Sequence, residues 1–339
     1  MVGKKVRVGV IGAGRIGRIH TKNLVQKVEK AEVTVICDPR YEETKEWARS
    51  LGIERIVTDP MQVINDPEID AIIICSPTNT HADLIIASAR AKKDIFCEKP
   101  IDMDLEKTKK ALEVVKEEGV KLQIGFNRRF DHNFRKIRSM VEEGKIGDVH
   151  VVNITSRDPA PPPIEYVKVS GGIFMDMTIH DFDMARYLVG DEVVEVYASG
   201  SVLIDPKIGK AGDFDTTATI LKFRNGATCI IDNSRKAAYG YDQRVEVFGS
   251  KGCARAENDT ETNVIFSNEE CVASDKPLYF FLERYMQSFE DEMHDFVDAL
   301  LYGRKIPVSG HDGLMAIVIA RAATISAREN RPVKIEEVL

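Results

Sequence analysis

The sequence lacks any apolar run near the roughly 18 residues that a membrane-crossing helix needs. It also lacks a basic surplus, with 47 Lys and Arg against 54 Asp and Glu and a formal net charge of −7. Such a chain has no excess of cations to neutralise phosphates or anionic lipid. No nucleic-acid and no membrane partner is therefore expected, while a local basic pocket stays open. The six cysteines form no C-x-x-C pair, so we read them as small core hydrophobes rather than disulfides or zinc ligands. The start, MVGKKVRVGVIGAG, lacks the cleavage-type segment of a secretory signal. These absences predict a reducing, cytoplasmic setting. Repeats, low-complexity blocks and long linkers are also missing. What is present is 339 residues, 43% hydrophobic and 30% charged, enough for two globular domains.

From residue 5 to residue 125 the pattern alternates strand and helix. Strands are expected at 6–12, 32–38, 70–76, 93–99 and 121–126, each short, β-branched and apolar on both faces. Helical stretches at 15–29, 80–91 and 104–118 lie between them. This order predicts a doubly wound α/β sheet. GAGRIG (12–17) follows the first strand and opens the first helix. Gly12 permits the tight turn, Gly14 lets backbone approach a pyrophosphate, and Gly17 lets helix and strand pack closely. Ala13, Arg15 and Ile16 complete the turn, whose N–H groups suit phosphate. A plain glycine-rich turn is the competing reading, but Asp38 ends the second strand where a carboxylate accepts ribose hydroxyls. Asp38 favours NAD by repelling a 2′-phosphate. Arg40 is near enough to tolerate one, so NADP is the less favoured cofactor.

Two further strand ends carry candidates. In SPTNTHAD (76–83), Ser76, Thr78, Asn79 and His81 either line the cofactor cleft or merely cap a helix. In CEKP (97–100), Pro100 holds Lys99 extended, which aims the ammonium of Lys99, beside Glu98, into the cleft.

GGIFMDMTIHDFDMARYL (171–188) reads as one helix. At about 100° per residue, Asp176, His180, Asp183 and Tyr187 share a window of roughly 60°. Ile179, Met177 and Met184 border it, and a solvated face would not be framed by apolar residues. By itself a D-x-x-x-H pair is more often structural, tying a helix down. A metal reading is weaker still, because no third ligand stands out; no metal is expected.

These motifs, with GFNRRFD (125–131), resemble the glucose–fructose oxidoreductase/inositol dehydrogenase (Gfo/Idh/MocA) family, in order from about residue 5 to about 330. Within it, SRDPAPPP (156–163) and KAAYGYDQRVEVFG (236–249) are most similar to inositol 2-dehydrogenases. The resemblance implies an N-terminal Rossmann dinucleotide-binding domain, residues 1–126, and a C-terminal α/β domain, residues 127–339, with a large open, mostly antiparallel sheet. It implies a homo-oligomer, a dimer or tetramer, assembled through that sheet. It also implies NAD, a sugar or polyol substrate, and a catalytic set of Lys99, Asp176 and His180. The expected reaction oxidises a secondary hydroxyl of a cyclic polyol, myo-inositol to its 2-keto product, by hydride transfer to NAD. Another sugar dehydrogenase, a redox-cycling NAD-dependent glycosidase and a non-catalytic sugar sensor are the alternatives. Asn127, Arg128, Asp158, Asp183 and Tyr239 join Asp176 and His180 as candidates for holding substrate hydroxyls. Arg129 and Arg157 read equally well as salt-bridged structure, and Tyr239 as sheet packing.

In the second half, strands are expected at 148–156, 192–202, 215–223, 227–235, 242–248 and 251–257, with an Asn-Gly hairpin turn at FRNGAT (223–228). Helices are expected at 284–302 and 311–328, and DPAPPP (158–163) as a rigid extended loop.

Overall fold

The structure, a computed structural model, describes residues 5–339 and divides the chain into two compact units. One holds the chain up to Phe130 together with Gln287–Met315. The other holds Asp131–Met286 and Ala316–Leu339.

The first unit is built on β1 (Val6–Ile11), β2 (Ala31–Cys37), β3 (Ile56–Val57), β4 (Ala71–Ile74), β5 (Asp94–Glu98) and β6 (Leu122–Gly125). They pair in the order β3-β2-β1-β4-β5-β6, all in parallel. This is the doubly wound order, reversing direction between β1 and β4. The strands bury both faces: Val8, Val10, Ile72, Ile73, Ile95 and Phe96 are all fully covered. The expected helices form at Arg15–Gln26, His81–Arg90 and Leu105–Glu118. The last is capped at its start by Asp104, which accepts from the N–H of Glu106 and Lys107, and ends at Gly119 in the left-handed region. β3 has only two residues, too few to leave a period in the sequence.

The helix expected at 284–302 forms as Met286–Leu301, with a single turn, Phe281–Arg284, ahead of it. The longer piece places Phe289, Met293, Phe296 and Val297 on one face, the spacing of an amphipathic helix. Met293, Phe296 and Val297 join the core formed by Val6, Val8, Val10 and Leu24. A cut at residue 126 treats each domain as continuous in sequence; the first unit instead takes back residues 287–315, because this apolar face finds its partner surface on the first sheet.

The second unit carries β7 (Val149–Arg157), β8 (Val193–Ser201), β9 (Thr216–Phe223), β10 (Thr228–Ser234), β11 (Asp242–Gly249) and β12 (Gly252–Ala256). A small hairpin, β13 (Ile265–Ser267) with β14 (Val272–Ser274), and a short β15 (Val333–Lys334) complete the strands. The large sheet runs β12-β11-β7-β10-β9-β8-β15 and is antiparallel except where β10 lies parallel to β7. Alternation is strict on β9, where Thr217, Thr219, Leu221 and Phe223 are buried while Ala218, Ile220 and Lys222 are exposed. One face is therefore covered and the other open. Asn233, on the covered face of β10, accepts from the Thr178 hydroxyl at 2.9 Å and donates to Asp181 at 2.8 Å. Those bonds seat the helix Ile179–Val189 on that face.

Candidate active site

In the first unit the glycine turn stands at the sheet's reversal. Gly12 has φ of +100°, and a Cβ there would lie 2.5 Å from the Cys75 carbonyl. A Cβ at Gly17 would lie 2.0 Å from the Gly12 oxygen. Both glycines are demanded by the fold itself. Gly14 differs: an added Cβ meets no atom within 4 Å, yet the residue is the N-cap of the helix Arg15–Gln26. Its side is open at a helix start where unpaired N–H groups favour an anion. The turn thus fits a dinucleotide's pyrophosphate, with Ala13, Arg15 and Ile16 around it.

Asp38 is almost fully buried. One oxygen accepts the Ala13 N–H at 2.7 Å, and the Arg40 guanidinium grips both oxygens at 3.1 Å. Burial pushes this carboxyl up, but the bonds from Arg40 and Ala13 outweigh it and hold the pKa below its ordinary value. Asp38 therefore pins the glycine turn. Arg40 is committed to Asp38, which blunts its use as a partner for a 2′-phosphate.

The turn after β4 becomes a short 3₁₀ segment, Thr78–Thr80. Ser76 and Thr80 share a hydroxyl–hydroxyl bond of 2.6 Å, and Thr78 and Asn79 lie in the same turn. His81 is not placed as expected. It is 1% exposed, with its ring nitrogens 2.8 Å from the Pro100 and Ser76 carbonyl oxygens. Both ring nitrogens face backbone, so His81 ties this turn to the residue after Lys99 rather than meeting a cofactor. Lys99 is half-buried, and its bond to Pro100 is cis. Glu98 points at His20, Oε1 to Nε2 at 2.7 Å. A Cβ on Gly125 would come within 3.0 Å of the Glu98 carboxylate, so glycine there makes room for it. His20 is fully buried, edge-on to Phe96 and Phe289, and Glu292 completes a cluster with it and Glu98. Neither His20 nor Glu292 stood out in the sequence, although His20 sits between Gly17 and Leu24 on the buried stripe of its helix.

Asn127, Arg128 and Arg129 are all buried in the 3₁₀ turn Asn127–Phe130. The Asn127 amide donates to the Ser288 hydroxyl at 3.4 Å. Arg129 pairs with Asp312 at 3.0 Å, the structural alternative.

In the second unit the expected single helix at 171–188 is two. Ile173–Asp176 ends one turn before Ile179–Val189 begins. The Thr178 N–H reaches back to the Ile173 carbonyl, a wide turn, and the Asp181 N–H then bonds Thr178, a tight one. The bond from the Thr178 hydroxyl to Asn233 holds this break. The apolar frame is real: Ile179, Met177 and Met184 are buried, while Asp176, His180 and Tyr187 are half-buried. Asp183 is fully buried. Asp176 is held at both oxygens, by the Tyr166 hydroxyl at 2.8 Å and by Arg235 at 3.1 Å. Tyr166 stands just beyond DPAPPP, in the helix Ile164–Val167, so that loop delivers a donor to Asp176. Arg235 carried a signal that went unread. It extends the buried alternation Cys229, Ile231, Asn233 by one more step, and a cation on that phase must meet an anion.

Asp158 is fixed through its backbone, its N–H on Ser234 and its carbonyl under the Ala237 N–H. Tyr239 does not join the helix residues. Its hydroxyl donates to Asp242 at 2.5 Å and accepts from Arg157 at 3.0 Å. Arg157 pairs with Asp232, whose phase on β10 is the open face. Tyr239 is thus sheet packing around a shallow cavity of about 560 Å³, shared with Arg157, Asp232 and Ser199.

The sequence matches two family profiles: "Oxidoreductase family, NAD-binding Rossmann fold" over residues 6–126 and "GFO/IDH/MocA C-terminal domain" over residues 134–255. It is 52% identical to the myo-inositol 2-dehydrogenase of Thermotoga maritima over 98% of this chain and 100% of that one. It is 46% identical to the inositol 2-dehydrogenase of Rhizobium meliloti over 97% and 99%. Among solved structures, scyllo-inositol dehydrogenase from Lactobacillus casei with bound NAD(H) and scyllo-inositol superposes with a TM-score of 0.91, at 32% identity, covering 98% of this chain and 100% of that one. The chain belongs to the Gfo/Idh/MocA family of NAD-binding oxidoreductases.

Proposed function

We propose that this enzyme oxidises the hydroxyl at C2 of myo-inositol to the ketone with NAD. What carries the reading is the near-complete match to a myo-inositol 2-dehydrogenase at 52% identity, together with a glycine turn and Asp38 arranged for NAD. When bound, NAD supplies the hydride acceptor. Gly12 to Ile16 and Asp38 hold the cofactor, with Ser76, Thr78 and Asn79 beside it. His180 takes the hydroxyl proton, since an imidazole accepts protons near neutral pH. Asp176 orients that ring and stabilises it once charged. The Lys99 ammonium donates to the alcohol oxygen as negative charge builds. Asn127, Arg128, Asp158 and Asp183 are assigned to the remaining hydroxyls, and Glu98 supports the cofactor side from its bond to His20.

We also assign the enzyme to the cytoplasm and to a dimer or tetramer joined by the open sheet face. Tyr197, Ile220 and Ile230 form a cross-strand apolar row there, each more than a third exposed. A row of this kind marks a contact surface. Among the described residues no helix is long and apolar enough to cross a membrane.

The test is absorbance of NADH with myo-inositol, scyllo-inositol, glucose, galactose and xylose, each with NAD and NADP. Fastest NADH formation from myo-inositol and NAD is expected. Release of sugar from a glycoside without net NADH, or a clear preference for a pyranose, overturns the assignment.

A further inference from the structure

Asp176 ends a helix of one turn, Ile173–Asp176, that is gripped at both ends. At its start the Asp213 carboxylate accepts the Ile173 N–H at 2.9 Å. Gly172 precedes it with φ of +84°, and a Cβ there would lie 2.7 Å from the same Asp213 oxygen. At its end Arg235 donates to Asp176 Oδ2 at 3.1 Å, while its second terminal nitrogen lies 3.7 Å from Asp213 Oδ2. Arg235 is 1% exposed. A cation so buried persists only with counter-charges, and removing one partner leaves a costly lone charge. Tyr166 closes the other side with its hydroxyl on Asp176 Oδ1 at 2.8 Å. Burial, then the neighbouring Asp176, pushes the Tyr166 phenol well above its ordinary range, so it stays a donor.

We propose that Arg235 is a positioning residue for catalysis: with Tyr166 and Asp213 it fixes the Asp176 carboxylate in place, ready to orient His180. The inference rests on the role assigned to Asp176 above. It differs from a structural clamp in one respect. A clamp changes stability alone, whereas a positioning partner changes turnover while the fold and cofactor binding persist.

The experiment compares Arg235→Met, Arg235→Lys and Tyr166→Phe with wild type in the NAD-loaded enzyme. For Arg235→Met kcat for inositol at neutral pH should fall about tenfold or more, with KM for NAD within about twofold. Arg235→Lys should restore most of kcat. Tyr166→Phe should lower kcat by less, and it leaves the buried cation intact if Arg235→Met fails to fold. If wild type oxidises no inositol but reduces NAD with another polyol or sugar, and the variants slow that reaction in the same order, the substrate reading fails and this one stands. If the variants lower only the melting temperature, with kcat unmoved, Arg235 is a structural clamp and the proposal is overturned.

Discussion

The glycine turn of the first unit and the Asp176 cradle of the second solve the same problem differently. In the proposed function each presents a polar contact to a ligand at a fixed place. The turn does so with neighbours in sequence: Gly12, Ala13, Gly14 and Gly17 fall within six consecutive residues, and backbone makes the contact. The cradle does so with side chains from afar. Tyr166 is 10 residues from Asp176 and Arg235 is 59 away. A site made of backbone is protected by the strictness of a few glycines. A site made of side chains rests on several ion pairs, each of which can be altered without breaking the fold.

The sharpest break of this comparison lies inside the turn. Gly12→Ala drives a Cβ into the Cys75 backbone at positive φ, and we expect a loss on the order of 3 kcal/mol or failure to fold, read by denaturant unfolding. Gly14→Ala meets no protein atom. It should leave unfolding within about 0.5 kcal/mol of wild type and weaken NAD about tenfold or more by titration. Equal destabilisation by both would show that Gly14 serves the fold and not a ligand.

Side-chain chemistry should show the opposite pattern. Lys99→Ala and His180→Ala are each expected to lower kcat by about a hundredfold or more, the scale of a general acid–base group, with NAD affinity and unfolding little changed. Normal turnover in both would dismantle the mechanism.

This contrast also explains what the sequence made legible. Strand and helix order, the glycine turn, Asp38 and the half-buried Asp176 and His180 all rest on local pattern, and period and spacing record local pattern. The break at Met177 and Thr178 was invisible because its cause, the bond from Thr178 to Asn233, comes from β10. His81 looked like a cleft residue until its nitrogens met two carbonyls. Glu98 and His20 are 78 residues apart, so nothing local announced their bond. Tyr239 lay in the stretch most like inositol dehydrogenases, but its hydroxyl belongs to Arg157 and Asp242.

The smallest expected effect compares two buried aspartates, one per unit. Asp38 takes the Ala13 N–H of the glycine turn and the Arg40 guanidinium. Asp215 takes the backbone N–H groups of Leu203, Ile204 and Asp205, and the Thr216 hydroxyl. For both, burial pushes the pKa up and hydrogen bonds to the carboxylate pull it net below the ordinary value. A carboxyl with a depressed folded pKa stabilises the fold above its unfolded pKa of about 4 and loses that contribution as pH falls through the folded value. Acid should therefore weaken both units from about pH 4 downward. Asp215→Asn should lower neutral-pH stability by about 1–3 kcal/mol and flatten the acid dependence. Asp38→Asn should do likewise by a smaller amount when NAD is absent, because Arg40 is half-exposed and water takes its place. With NAD present its effect should grow, since bound cofactor stabilises only the folded form that holds it. An Asp38→Asn penalty that is the same with and without saturating NAD would mean that Asp38 secures the turn alone and takes no part in holding the ribose.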